Sequence, residues 1–357
     1  MLPSTLALVQ ELQLDGLMTP RRFGGSELGW RAFYEVTRTV SAACPSSGWC
    51  VGFFAYHAYL LALFSPEAQQ EVWGADPTAR LATSLAPFGQ IERAAGGYRV
   101  RGRWPWCSGI DHCSWVILGG LVPPAETGSF PHLRLFLLPT AEATVEDDWH
   151  VAGLRGSGSN TTTVTDLFVP EHRTLAADDM REGNTVGSRA SDNPIHRQPQ
   201  VAASPLSLAV PAVGAALGAM NETLDAMRQK MARQPMLQDA IGPRVRLAEA
   251  CDTVRWADSL LREIAVESET LGPEVSLEYR ADCRYRYARA VRLAVSACDT
   301  FLELAGASAN YDSSPIQRYW RDAHAIAAHA LLGIERAGDL RGRSLLGMPR
   351  NPKDGLF

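Results

Sequence analysis

The chain has 357 residues, 46% of them hydrophobic, which is ample for a large buried core; at about 150 residues per domain, that length predicts two or three units. Charged residues make up 20% and the formal net charge is -5, which argues against nucleic acid or an anionic membrane as a partner. Seven cysteines (44, 50, 107, 113, 251, 283 and 298) are odd in number and form no CxxC pair, so reduced thiols of a cytoplasmic protein are expected rather than a disulfide framework or zinc site.

Residues 1–15 lack the basic and apolar regions of a signal peptide. The first zone reads as helical, with helices over Ser4–Leu14, Trp30–Ala43 and Tyr56–Trp73 and a turn over Pro20–Gly25. Its longest apolar stretch, around Val51–Phe64, is interrupted by His57 and two tyrosines and is too short to span a bilayer. From about Arg80 the period changes. Gln90–Ala95, a Gly96-Gly97 turn and Tyr98–Arg103 predict a β-hairpin. Trp115–Leu121, Leu133–Leu138 and Thr161–Val169 are further strand candidates, rich in Val, Ile, Thr and Phe.

A polar stretch, Ala177–Gln200, reads as a linker or mobile loop. Beyond it, Leu206–Ala232, Arg244–Glu269, Glu278–Ala305 and Pro315–Leu332 predict long helices, rich in small residues, that pack as a bundle. The expected fold class is therefore α+β, mainly α. Its domains are an N-terminal helical domain (1–76), a strand-rich domain (77–185) and a C-terminal four-helix bundle (200–357).

This order, with three local patterns, resembles the acyl-CoA dehydrogenase superfamily, whose middle domain is a β-barrel. Leu17–Gly25 (LMTPRRFGG) is similar to the turn after its first helix. Trp149–Asn160 (WHVAGLRGSGSN) with Leu167–Pro170 resembles the stretch closing its β-domain, and Ile316–Asp322 (IQRYWRD) its arginine–aspartate stretch. Within the superfamily, dehydrogenases carry a carboxylate base after that stretch. Here Ala323–Glu335 (AHAIAAHALLGIE) offers histidine and alanine instead, with Glu335 further on. Trp104–Trp115 (WPWCSGIDHCSW) and His329 are similar to the other branch, the two-component flavin hydroxylases such as p-hydroxyphenylacetate and secosteroid phenol hydroxylases.

That resemblance implies an oxygenase hydroxylating a phenolic or polycyclic aromatic substrate through a C4a-hydroperoxyflavin, with FMNH2 (FADH2 as the alternative) and O2. It implies that Ser108 bonds the flavin N5, with Trp106 and Cys107 beside it; the sequence alone favours a turn serine before Gly109. Trp49 corresponds to a tryptophan near the flavin, though core packing explains it as well. Thr83, Ser84 and Leu85 align with a flavin-touching strand, with Ser84 also placed to meet substrate. His57, otherwise a core histidine inside an apolar helix, is implied to accept the phenolic proton.

His329, followed by Ala330, is implied to sit beside the flavin C4a–N5 edge. His324, five residues before it, does not share its helix face, so the pair makes a poor zinc site. Arg233 matches an arginine that reaches the flavin phosphate across a subunit interface, and reads equally as a cation at a helix C-terminus. Ala307 and Ser308 correspond to further flavin contacts. Interface arginine and small-residue helices together imply a homotetramer.

Gly156-Ser157-Gly158 holds only the first half of a dinucleotide fingerprint and precedes a strand rather than a helix. A separate NAD(P)H:flavin reductase is therefore expected to supply the reduced flavin. The rival readings are oxygenation at nitrogen or sulfur on the same scaffold, and an acyl-CoA dehydrogenase with a displaced base.

Overall fold

Proline sets the first turn of three of the four opening helices in a computed structural model that describes residues 1–124, 131–234 and 239–349. Its fixed φ and missing N–H suit that position in α1 (Pro3–Glu11), α3 (Pro45–Ala62) and α4 (Pro66–Trp73), while α2 (Trp30–Ala43) begins after Gly29. The helix expected over Tyr56–Trp73 in fact starts at Pro45 and breaks before Ser65, whose hydroxyl caps α4 by accepting from the Ala68 N–H. Helix α3 is buried on nearly every side, so no 3.6-residue alternation marks where it begins.

Among the described residues seven strands follow: β1 (Leu81–Ala94), β2 (Gly97–Cys107), β3 (Trp115–Val122), β4 (His132–Pro139), β5 (Thr144–Glu146), β6 (Asn160–Pro170) and β7 (Thr174–Ala176). They form one sheet in the order β5-β6-β2-β1-β3-β4-β7. The β1–β2 hairpin turns on Ala95-Gly96, one residue before the expected Gly96-Gly97, and Gly96 takes φ 76°, a conformation open to glycine. Strand β1 also starts well before Gln90; its first half pairs in parallel with β3 and carries Thr83, Ser84 and Leu85.

The stretch expected as a linker is folded. It forms the short helices α5 (Ala177–Arg181), α6 (Val186–Arg189) and α7 (Gln200–Ala203), with Thr185 capping α6 and Asn193 capping an intervening 3-10 turn, Pro194–Arg197. Gly187, Ser188, Ile195, His196 and Gln198 are buried. A side chain on Gly187 would place its Cβ 2.2 Å from the Ala62 carbonyl oxygen, so this segment packs directly on the end of α3.

The long helices are α8 (Leu206–Arg233), α9 (Ile241–Glu267), α10 (Leu277–Ala305) and α11 (Pro315–Ala327), followed by α12 (Ile334–Leu345). The last expected helix ends at Ala327 rather than Leu332, and His329 caps the short turn that follows. Small residues let α8 approach α2 closely: a Cβ on Gly214 would lie 2.3 Å from the Ser41 Cβ. One hydrophobic core consequently runs from Trp30, Phe33 and Tyr59 through Val210 and Val213 to Leu261, Val291 and Phe301, joining the opening helices to the bundle. A second core fills the sheet around Val100, Trp104, Val116 and Phe136, and Cys50 and Phe54 of α3 belong to it.

Candidate active site

Helix α3 lies between the two cores, and one of its faces carries Trp49, Phe53 and His57 at four-residue spacing. The three rings touch in succession, with centroids 4.8 Å apart for Trp49–Phe53 and 5.1 Å for Phe53–His57. At one end of this row, the Trp49 indole N–H donates to the Ser108 hydroxyl at 2.9 Å. At the other end, His57 meets the start of β1: Nδ1 lies 2.6 Å from the Leu81 carbonyl oxygen and Nε2 lies 2.9 Å from the Thr83 hydroxyl.

Those contacts assign the tautomer. A carbonyl oxygen only accepts, so Nδ1 carries the hydrogen and Nε2 accepts from Thr83. His57 is fully buried, and burial pushes its pKa down to about 4 against a smaller opposing effect of the Leu81 bond. The imidazole is therefore neutral, with both nitrogens engaged. The expected phenolic base is thus not open to direct contact: a proton bound for Nε2 passes through Thr83. The Thr83 proton is committed to His57, so that hydroxyl offers lone pairs on its other side. Ser84 has the same polarity, since its hydroxyl donates to the Pro105 carbonyl oxygen at 2.8 Å. Leu85 is half-buried against the larger core.

Ser108 follows an irregularity in the β2–β6 ladder, where register shifts between Trp104 and Cys107. Trp106 takes φ 67°, uncommon for a bulky residue, and is 59% exposed with its ring edge-on to Phe88. Cys107 points the other way: it is fully buried, and burial pushes its thiol up to about 11. The irregularity thus separates an outward tryptophan from an inward thiol. The Ser108 hydroxyl is also 2.8 Å from that of Ser159, which is 2.7 Å from that of Ser157. The sequence singles out neither of those serines, since alternating glycines and serines read there only as a partial dinucleotide fingerprint.

The remaining expected residues lie outside this hydrogen-bonded cluster. His329 is half-buried; its Nδ1 accepts from the Leu331 N–H, leaving Nε2–H as a donor, and burial with the nearby Arg284 pushes its pKa down to about 4. Ala330 beside it is exposed. Arg233 ends α8, exposed and without a side-chain partner among the described residues. Ala307 and Ser308 lie on an exposed turn after α10. His324 bonds the Trp320 carbonyl oxygen and packs on its ring, a structural role. Glu335, the carboxylate a dehydrogenase reading would need, is exposed in the first turn of α12. A separate cleft lined by Arg22, Glu27, Gln69, Ser191 and His196 contains none of the cluster residues, and Arg22 is already bonded to Gln69 there.

Residues 206–333 match the family model described as acyl-CoA dehydrogenase, C-terminal domain. The chain is 36% identical over 352 residues to the flavin-dependent monooxygenase, oxygenase subunit HsaA, of Mycobacterium tuberculosis, covering 97% of this chain and 89% of that protein. It is 32% identical to the oxygenase component of an FADH(2)-dependent resorcinol hydroxylase of a Rhizobium species, over 97% of this chain and 88% of the relative. Among solved structures, 3-HSA hydroxylase from Rhodococcus sp. RHA1 superposes with TM-score 0.95 at 35% identity, covering 100% of this chain and 92% of that one.

The acceptor set of the cluster suits a reduced flavin. Its isoalloxazine ring presents N–H groups and flat apolar faces, and Ser108 has an oxygen lone pair left after the Trp49 bond.

Proposed function

The chain belongs to the two-component flavin-dependent monooxygenases of the acyl-CoA dehydrogenase fold, and from that premise we propose that it hydroxylates a phenolic or polycyclic aromatic substrate using reduced flavin and O2. The observation that carries the aromatic reading is the buried His57–Thr83 pair, whose outward lone pairs suit a donor such as a phenol O–H. Resorcinol, a phenol, is named as the substrate of one relative.

Bound reduced flavin supplies two electrons and delivers one atom of O2 to the ring, the other leaving as water. Ser108 would hold a flavin N–H, and Trp106 would cover the ring. Thr83 accepts the phenolic hydrogen bond and passes the proton toward His57 Nε2, raising the electron density of the aromatic ring. Ser84 offers a further acceptor to substrate or flavin. His329, whose Nε2–H is left as a donor, would hydrogen-bond the flavin edge. Arg233, Ala307 and Ser308 are exposed on one chain, which supports a homotetramer in which they complete a neighbour's flavin site. FMN is the flavin of this proposal and FAD the alternative, delivered by a separate NAD(P)H:flavin reductase in the cytoplasm.

Oxygenation at nitrogen or sulfur is the second reading. It draws on one feature: His57 is neutral with both nitrogens satisfied, and a substrate without an acidic proton leaves that arrangement undisturbed. The two readings separate when the protein, loaded anaerobically with FMNH2, is exposed to 18O2 with bicyclic phenols, aryl sulfides and aryl amines in parallel. Catechol products carrying one labelled oxygen support phenol hydroxylation. Sulfoxide or hydroxylamine products with unreacted phenols overturn it.

A further inference from the structure

The serines behind Ser108 form a chain whose proton order is settled by counting. Ser108 and Ser159 hydroxyl oxygens lie 2.8 Å apart, Ser159 and Ser157 2.7 Å, and Ser157 lies 2.8 Å from the Leu154 carbonyl oxygen. Oxygens at such separations need a proton between them. The three hydroxyls bring three protons to three contacts, and the carbonyl, which also receives the Trp149 indole N–H and the Ser157 backbone N–H, can only accept. Ser157 therefore donates to Leu154, Ser159 to Ser157, and Ser108 to Ser159.

The far end of this chain is rigid. Leu154 takes φ 55° and Gly158 φ 52°; the Leu154 N–H donates to the buried Asp322 of α11 at 2.6 Å, and the Ser157 carbonyl oxygen receives the Gly109 N–H at 2.9 Å. All three serines are buried.

We propose that Ser157 and Ser159 are positioning residues that lock the Ser108 hydroxyl as a hydrogen-bond acceptor, so that the site selects reduced flavin, whose N5 carries hydrogen, over oxidised flavin, whose N5 carries a lone pair. This rests on the placement of Ser108 against the flavin ring in the proposed function. With its proton committed to Ser159 and one lone pair taken by Trp49, Ser108 has one lone pair left for an N–H and no proton for an oxidised N5.

The test compares Kd for FMNH2 and for FMN, and the midpoint potential of bound FMN, in the wild-type protein and the variants Ser159→Ala, Ser157→Ala and Ser108→Ala. Loss of either relay serine frees the Ser108 proton to turn toward the ring. Binding of oxidised FMN should then tighten relative to reduced FMN, lowering the preference by about three- to tenfold, the worth of one neutral hydrogen bond. Adding Ser159→Ala to Ser108→Ala should change the preference no further. A merely structural role would weaken both flavins equally and leave potential and preference unmoved in both relay variants, which overturns the proposal. If Ser108→Ala itself leaves the preference unchanged, the placement of Ser108 falls and the relay with it; if only Ser108→Ala changes it, the relay alone falls. Two relay variants are included so that misfolding of one still leaves a reading from the other.

Discussion

A hydroxyl's usefulness depends on which way its proton points, and that is the detail a sequence hides. Ser108, Thr83, Ser84 and His57 are all reached from resemblance to flavin hydroxylases. Ser157 and Ser159 are not, because their bonds arise where the loop turns through positive φ at Leu154 and Gly158, and such a turn leaves no periodic trace. The same blindness applies to His57, whose partner Thr83 becomes visible only when α3 packs on β1. Replacing Thr83 by the near-isosteric valine tests that pair. Hydroxylation by Thr83→Val at neutral pH should slow by up to about 100-fold, the lower range of general-base assistance, and should recover at alkaline pH where a phenol ionises unaided. FMNH2 affinity should stay as in the wild type. Rapid mixing across pH 6–10 would read this; an unchanged neutral rate would favour a substrate without an acidic proton.

Among the elements, α3 is the least legible and matters most to the site. Alternation reveals α2 with both ends correct, since it is half-buried with polar residues outward. Helix α3 is apolar all round, and the sequence places only its last residues, Tyr56–Ala62, in a helix. Its position depends on close contact with α2: a Cβ on Gly48 would lie 1.9 Å from the Ser41 hydroxyl oxygen and 2.7 Å from the Ser41 Cα. Gly48→Ala should therefore push α3 outward and destabilise the protein by about 1–3 kcal/mol, as overpacking does. Because Trp49 is the next residue, oxidised and reduced flavin should both bind more weakly. Gly242→Ala in α9, where nothing lies within 4 Å, is the control and should leave the melting temperature unchanged or slightly raised. Paired thermal melts would expose a Gly48→Ala protein as stable as the control, a result incompatible with the tight α2–α3 contact. The folded stretch after β7 is illegible for a different reason: its helices are only one turn long, too short for periodicity, and its burial comes from long-range contacts, Gly187 with the end of α3, Gln198 with the Ser268 and Leu271 carbonyls and Ala202 with the Tyr287 hydroxyl.

At the scale of the whole molecule, the order of helices, strands and bundle is legible, and the shared core that unites the two helical parts is not. Its buried histidines make stability depend on pH. Burial holds His57 and His196 at about 4, below the ordinary value of 6.5. Both are neutral in the folded protein while their unfolded counterparts begin to protonate near pH 6.5. The unfolded state then binds more protons, so this contribution is fully present above pH 6.5 and is lost as pH falls toward 4, by about 1.4 kcal/mol per pH unit for each histidine. Urea unfolding between pH 7 and 4.5 should show that slope, and His196→Asn should reduce it by one proton's worth; equal slopes in the two proteins would contradict the assignment.

Assembly makes the last prediction. On α9, Ile241, Val245 and Trp256 are 68%, 49% and 59% exposed, and their spacing of four and eleven residues keeps them on one face. Glu249 and Asp252 share that face, so it is mixed rather than an apolar stripe, and we propose it as a subunit contact centred on the exposed Trp256 ring. The exposed Arg233, at the end of the preceding helix, has no partner among the described residues and is the cation expected to reach a neighbour's flavin phosphate. If this face is a subunit contact, Trp256→Glu should shift the proposed homotetramer to smaller species in light scattering while the helical circular dichroism stays intact, because Trp256, 59% exposed, contributes little to its own chain's core. Flavin affinity should fall in parallel, since each site would lose its neighbour's arginine. Arg233→Ala should weaken flavin binding to a similar degree with the tetramer preserved. A wild-type protein that is monomeric and fully active would defeat the shared-site account, and a Trp256→Glu tetramer would move the contact to another face.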